Sequence, residues 1–418
     1  MNEAGQHGAM NTDCDVLIAG GGMVGASLAV ALSSLPLRVV VVEAVTMGSP
    51  EQPSFDVRTT ALSRSSHQIL DTLGVWAQVA QQAAPIHRIH VSERGRFGST
   101  IIDGADDGGG PLGYVLENRL LGAALWEQLA ASSNIDIRAP ARVKNVHSGP
   151  DTITVDVDQD GVAHTVCTRL LVVADGARSR LRESLGIDAG IRSYHQTAIV
   201  GTVAVTAGSG AMAYERFTPD GPLALLPTGA DRYVFVLTRQ SDQAEAVCEL
   251  SDGAFLQLLQ REFGFRLGRF ARVGRRHSYP LELVEASSVI THRAAVIGNA
   301  AHGLHPVAGQ GYNLGLRDAA TLAELLADLQ QAQGRRGPAD PGAPAGLRRY
   351  AEWRRLDQRK VVAFTDGLIR GFDRRGLGPM RGMGLLLFDN LPGAKRLLAR
   401  QTMGLAGRRT RLARGLSL

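Results

Sequence analysis

The sequence predicts an α/β chain with a parallel sheet flanked by helices, a second domain built on an antiparallel sheet, and a C-terminal helical region. Three observations lead there. Short, wholly apolar runs end in glycine-rich turns, as the buried strands of a parallel sheet do. Residues 195–240 instead alternate apolar and polar positions between turn signals, as antiparallel strands do. Beyond the Pro/Gly-rich stretch 334–346 the pattern is helical to the end.

Taken in order, residues 1–13 read as a flexible leader with neither the basic nor the apolar stretch of a signal peptide. Asp15–Ala19 is an apolar strand, Met23–Leu35 an Ala/Leu-rich helix, and Arg38–Glu43 a strand of four successive valines. Together they form one strand–helix–strand unit. Helices are expected at 62–73 and 120–131, and buried strands at 169–175 and 294–298. The organisation that follows is a discontinuous cofactor domain over 14–190 and 275–333, with part of 86–112 joining the substrate domain. The substrate domain is 191–274, then come a loop at 334–346 and a helical region with a basic tail at 347–418.

Composition narrows the class. The 418 residues include 44% hydrophobic and 20% charged residues, which excludes global disorder. Three distant cysteines, Cys14, Cys167 and Cys248, make neither a disulfide scaffold nor a cysteine-pair zinc site, so no metal is expected. No apolar run approaches membrane-spanning length. The formal charge of +5 is local: seven cations and no acid follow Asp389, leaving −2 for the rest. That disfavours nucleic acid as a partner and points to an anionic membrane surface or a solvated end. Glycine is in excess, at 49 against the roughly 29 of ordinary usage.

Part of that excess forms a motif. Gly20, Gly22 and Gly25 make a GxGxxG between a strand and a helix, and Glu43 ends the next strand. The glycines permit the tight turn, the approach of a pyrophosphate and close helix packing, while the carboxylate suits ribose hydroxyls. This predicts a Rossmann-like dinucleotide-binding domain. Asp175-Gly176-Ala177-Arg178 follows a second buried strand, and Gly298-Asn299 a third. Then comes Pro306-Val-Ala-Gly309-Gln-Gly311-Tyr312-Asn313-Leu-Gly315-Leu-Arg317-Asp318.

With these runs the sequence resembles the single-component FAD-dependent aromatic hydroxylases, which have the fold of p-hydroxybenzoate hydroxylase. Within them it is similar to the ubiquinone-biosynthesis branch, above all to the 2-octaprenyl-6-methoxyphenol hydroxylases. Further stretches carry the likeness: Phe55-Asp-Val-Arg58, Val115-Leu-Glu-Asn118-Arg119, Glu215-Arg-Phe217 and Gly221–Pro227. The resemblance implies FAD held by Gly20, Gly22, Gly25, Glu43, Arg58, Asp175, Gly176, Gly298, Asn299, Gly309, Gly311, Tyr312 and Asn313. Asn118 and Arg119 share one further position. Asn299 stands where many relatives have an aspartate, a departure shared with the methoxyphenol branch.

The resemblance further implies NAD(P)H as electron donor, dioxygen as co-substrate and a flavin hydroperoxide that hydroxylates a polyprenyl phenol. The implied setting is the cytoplasm or the inner membrane face, with a biosynthetic assembly as a further partner. Candidate catalytic residues are His302, His305 and Pro306. A histidine suits a phenol proton, though His305 before proline also reads as a loop-shaping residue. No second GxGxxG and no Cys-x-x-x-x-Cys is present, against the two-nucleotide disulfide reductases. Trp76, Trp126 and Trp353 are too scattered for a flavin halogenase motif. A same-fold hydroxylase of a soluble aromatic and a non-catalytic prenyl binder remain the alternatives.

Overall fold

The computed structural model describes residues 12–46, 49, 58–208, 210–304, 309–333, 339–373 and 391–418. The first strand, Cys14–Ala19, pairs in parallel with Val39–Val42 on one side and with Val162–Val173 on the other. Ile135–Arg138 adds a parallel strand at one edge, and Ala294–Val296 adds one on the other side, bordered by the short antiparallel Ile290–Thr291. An antiparallel hairpin, Ala141–Ser148 and Ile153–Gln159, pairs with Val162–Val173. The mixed α/β architecture expected from the sequence is therefore present.

The four valines show why the strand is apolar throughout. Val39 and Val41 face a core shared with Leu28 and Trp126, while Val40 and Val42 face a second core with Leu17 and Val173. Each fully buried valine contributes about 1.5–3 kcal/mol. The helices Met23–Leu32, Asn118–Ala130 and Gln310–Gln333 cover the first face. The last of these begins at Gln310, inside the glycine-rich run. Tyr312 and Asn313 therefore stand in its first turn and not in a preceding loop.

The second sheet runs in the order His302–Gly303, His277–Ala286, Ala189–Val205, Arg232–Gln240, Gly221–Pro227, Met212–Thr218, Arg88–Glu93 and Ser99–Asp103. Its pairings are antiparallel except between Met212–Thr218 and Arg88–Glu93. One face packs on the helix Asp252–Phe263, burying Tyr214, Leu225, Phe235 and Leu237 against Phe255 and Leu259. His277–Ala286 pairs along Ala189–Val205. The chain thus remains in this sheet beyond residue 275, where the sequence pattern predicts a return to the cofactor domain. Buried Leu281 and Leu283, alternating along the strand, were the overlooked signal.

The helix Pro344–Asp373 starts inside the expected loop 334–346, with proline in its first turn. Pro392–Thr402 is also helical. The segment beyond it is docked. Leu412 and Ala413 are buried, the Arg411 side chain pairs with Asp328, and Arg408 stacks 3.6 Å from the Trp353 ring centre. Among the described residues, no helix is long and apolar enough to cross a membrane.

Candidate active site

The strand–turn–helix at residues 14–32 is built around close backbone contacts. Gly20 has φ of +106°, and a Cβ there would lie 2.5 Å from the Ala174 carbonyl oxygen. A Cβ on Gly25 would meet the Gly20 carbonyl oxygen at 1.9 Å. Glycine is the residue these approaches allow. Gly22 precedes the helix Met23–Leu32 and offers no side-chain cap, and the helix start at Met23 and Val24 lines the cavity.

Glu43 holds the turn from beside it. Its Oε2 accepts from the Gly21 N–H at 2.7 Å and its Oε1 from the Val45 N–H at 3.0 Å. Burial raises its carboxyl above the ordinary range, partly countered by those backbone donors. The indole N–H of Trp126 donates to the Gly21 carbonyl at 3.1 Å. Sequence reading used Trp126 only to exclude other families. A fully buried tryptophan on an Ala/Leu-rich helix carried no visible link to the turn.

A single cavity of about 1510 Å³ runs from this turn to the antiparallel sheet. Gly20, Gly22 and Glu43 line one end, with Arg58 and Asn118 nearby. Arg58 lies over the Tyr279 ring at 5.0 Å. The pair left open in the sequence separates cleanly. Asn118 is buried, lines the cavity and accepts from the Thr60 hydroxyl at 2.6 Å, whereas Arg119 points away to Glu117.

Asp175, Gly176 and Asn299 line the same cavity. Burial raises the Asp175 carboxyl above its usual range, offset in part by the Ser179 hydroxyl. The two loops that carry these residues are tied by Arg182, whose guanidinium donates to the carbonyls of Ala177 and Ala300. Arg182 is 1% exposed and was not singled out from the sequence. Gly298 does not line the cavity. A Cβ there would press on the Val24 side chain, so its smallness lets this loop sit on the first helix.

Gly309, Gly311, Tyr312 and Asn313 complete the cofactor-side wall. Asn313 bolts the helix start to the strand Thr59–Ser63. Its amide donates to the Ala61 and Gly309 carbonyls, and its oxygen accepts from the Ser63 N–H. The Tyr312 hydroxyl lies 2.9 Å from the Ser27 hydroxyl, joining the helices Gln310–Gln333 and Met23–Leu32.

His302 is placed differently from the expectation that it serves the reacting ring. Its Nε2 lies 2.5 Å from Asp318 Oδ2, and both side chains are buried. The cavity is lined by the following Gly303 and Leu304, not by His302. Asp318 also accepts from Arg354 at 2.7 Å and from the Gly298 N–H at 3.1 Å. The imidazole is thus part of a buried ion network behind the cofactor loop. His305 and Pro306, the other two catalytic candidates, lie outside the described residues. No cluster of metal-ligating side chains occurs among the described residues.

The glycine cradle, the helix start on the cavity wall and the long cavity fit FAD. A family model described as an FAD binding domain matches residues 13–365. The chain is 39% identical to the ubiquinone hydroxylase UbiL of Rhodospirillum rubrum, over 98% of this chain and 95% of that protein. It is 30% identical to the 3-demethoxyubiquinol 3-hydroxylase of Escherichia coli, over 94% of this chain and all of that one. The fold matches p-nitrophenol 4-monooxygenase PnpA of Pseudomonas putida with a TM-score of 0.78 at 20% identity, over 96% of this chain and 100% of that one. The chain therefore belongs to the FAD-binding aromatic hydroxylase family that includes the ubiquinone hydroxylases, and is an FAD-dependent aromatic monooxygenase.

Proposed function

We propose that this enzyme hydroxylates a polyprenylated methoxyphenol in ubiquinone biosynthesis, with NAD(P)H as electron donor and dioxygen as co-substrate. The observation that carries this reading is the continuous cavity. Its volume exceeds the roughly 300–1,000 Å³ of an ordinary ligand pocket, and its far wall is an apolar sheet face. That leaves room for a ring and an alkyl chain beyond the cofactor. The names of the R. rubrum and E. coli relatives support the pathway. Asn299 supports the methoxyphenol branch.

Bound FAD, once reduced, supplies the activated oxygen atom; the protein's part is binding and exclusion of water. The Gly20–Gly22 turn and the helix start at Met23 would hold the pyrophosphate. Glu43 Oε1 and Oε2 each keep a lone pair for a ribose hydroxyl. Arg58 and Asn118 would contact the adenine-side phosphates and sugar, and Asp175 and Asn299 the ribityl chain. The start of Gln310–Gln333 would direct N–H groups and a positive dipole end at the flavin pyrimidine edge.

A nearly insoluble substrate is met at a membrane surface. The helix Pro392–Thr402 is the part of the basic tail suited to such contact. Leu391 and Leu397 are exposed beside Arg396, while Ala399 and Met403 are buried against Ile102 and Leu112. Because the following residues are docked on the body, truncation would uncover core. Replacing Arg396 and Leu397 with Glu and Ser is the cleaner variant, and it is expected to weaken binding to anionic vesicles at low salt.

Metabolite profiling of a deletion strain tests the pathway assignment. Accumulation of a prenylated methoxyphenol supports it. Undiminished ubiquinone in the deletion strain contradicts it.

A further inference from the structure

The sheet face opposite the cofactor loops is almost uniformly apolar. Strand register places Thr100, Val91, Glu215, Ala224, Val236 and Val200 in one row across it. The adjacent row carries Ile102, Ile89, Ala213, Leu226 and Val234. All of these residues line the cavity. Alternation sends Tyr214, Leu225 and Phe235 to the other face, under the helix Asp252–Phe263. Among the described cavity-lining residues of these six strands, Glu215 is the single charged side chain.

Its surroundings give it no support. Glu215 Oε1 is buried with no hydrogen-bond partner among the described residues. The residues registered beside it are Val91 and Ala224, which offer no side-chain donor. A carboxylate oxygen buried without a partner costs the fold stability, and a ligand that supplies the missing donor removes the cost. Burial alone pushes the carboxyl up to about 7, within the range in which it exchanges protons at neutral pH.

We propose that Glu215 receives the phenolic hydroxyl of the substrate and accepts its proton as oxygen enters the ring. This rests on the reading of the enzyme as a hydroxylase of a neutral prenylated phenol. The phenol O–H bond breaks, its electron pair stays on oxygen and enriches the ring, and the proton passes to the carboxylate. One oxygen atom of dioxygen forms the new C–O bond and the other leaves as water. The two electrons required come from the nicotinamide donor by way of the flavin. The ring C–H proton is released on rearomatisation, and Glu215 returns its proton to the first phenolic oxygen, unchanged over the cycle. The same carboxylate repels a carboxylated ring, so the wall selects neutral phenols.

The test uses the full-length holoenzyme and its Glu215→Gln and Glu215→Asp variants, in detergent. The probe is a geranyl-substituted methoxyphenol, and 4-hydroxybenzoate serves as the anionic control. Hydroxylated product, reductant consumed and hydrogen peroxide are measured together. Glu215→Gln is expected to keep FAD and to be at least as heat-stable as the parent, since it removes a buried charge. It is expected to lose about 10²–10⁴-fold in hydroxylation, reductant going to peroxide, with partial recovery in Glu215→Asp. A Gln variant that hydroxylates within about threefold of the parent at unchanged coupling overturns the role of Glu215 alone. So does a Gln variant that loses FAD, which marks the residue as structural. A parent enzyme that hydroxylates 4-hydroxybenzoate and not the prenylated phenol overturns both this inference and the reading beneath it.

Discussion

Asp318 Oδ2 lies 2.5 Å from His302 Nε2 while its Oδ1 receives the Arg354 guanidinium at 2.7 Å, and all three side chains are buried. This joins the loop after Ala294–Val296 to the helices Gln310–Gln333 and Pro344–Asp373. The same carboxylate takes the Gly298 N–H, next to cavity-lining Asn299. Replacing Asp318 with Asn removes the charge that buried His302 and Arg354 share and leaves Arg354 only its pair with Asp357. A loss of about 3–5 kcal/mol in stability is expected, measured by denaturant titration, with weaker FAD retention beside it.

The same network sets an acid limit. Burial works against ionisation of Asp318, but His302 and Arg354 outweigh it and hold its carboxyl well below the usual carboxylate range. A folded-state value depressed below the unfolded 3.8 stabilises the protein above that pH. The contribution is lost as pH falls through the folded value. Unfolding scans should therefore show a steep decline below about pH 4. Asp318→Asn should be flatter there than the parent.

Glu43→Ala removes the acceptor for the Gly21 and Val45 N–H groups. Hydrogen bonds to a charged group contribute about 1.5–3 kcal/mol, so FAD affinity of the apoprotein should fall roughly 10- to 100-fold. Isothermal titration with FAD measures it. Gly25→Ala, whose Cβ would strike the Gly20 carbonyl, should yield protein without flavin colour.

Asn118 and Arg119 offer a paired control. Asn118→Ala should reduce FAD affinity measurably, because its side chain lines the cavity and holds Thr60. Arg119→Ala should change stability by less than about 1 kcal/mol, since its partner is an exposed Glu117. Equal FAD affinity in the two variants would contradict the orientation of this turn.

Trp126→Phe should cost about 1 kcal/mol for the lost bond to the Gly21 carbonyl, beyond any packing change. The effect should appear as faster flavin dissociation as well as lower stability. Trp126→Ala should be far more severe, about 3–5 kcal/mol.

The cofactor half of the fold was legible because its signals are local. Four valines, a GxGxxG and the run from Gly309 to Asp318 each report on a few consecutive residues. The residues that were missed act at a distance. Arg182 ties two loops, Trp126 reaches a turn 105 residues earlier, and Arg354 meets Asp318 from another helix. A buried cation reads in sequence like a solvated one until the chain is folded. His302 illustrates the converse. Its neighbourhood in sequence suggested chemistry, but its ring is turned from the cavity to a buried aspartate. In the sequence Glu215 stands out only as part of a family-like run. Its isolation on an apolar face emerges from strand register, which the sequence does not display.

The most direct measurement incubates the purified holoenzyme with NADPH, oxygen and a geranyl-substituted methoxyphenol in detergent, with 4-hydroxybenzoate in parallel. Product is identified by mass and counted against reductant consumed. A prenylated product carrying one added oxygen atom, formed in proportion to NADPH and absent without FAD, is the expected result. Tight coupling on 4-hydroxybenzoate with none on the prenylated phenol would contradict the assignment of the cavity.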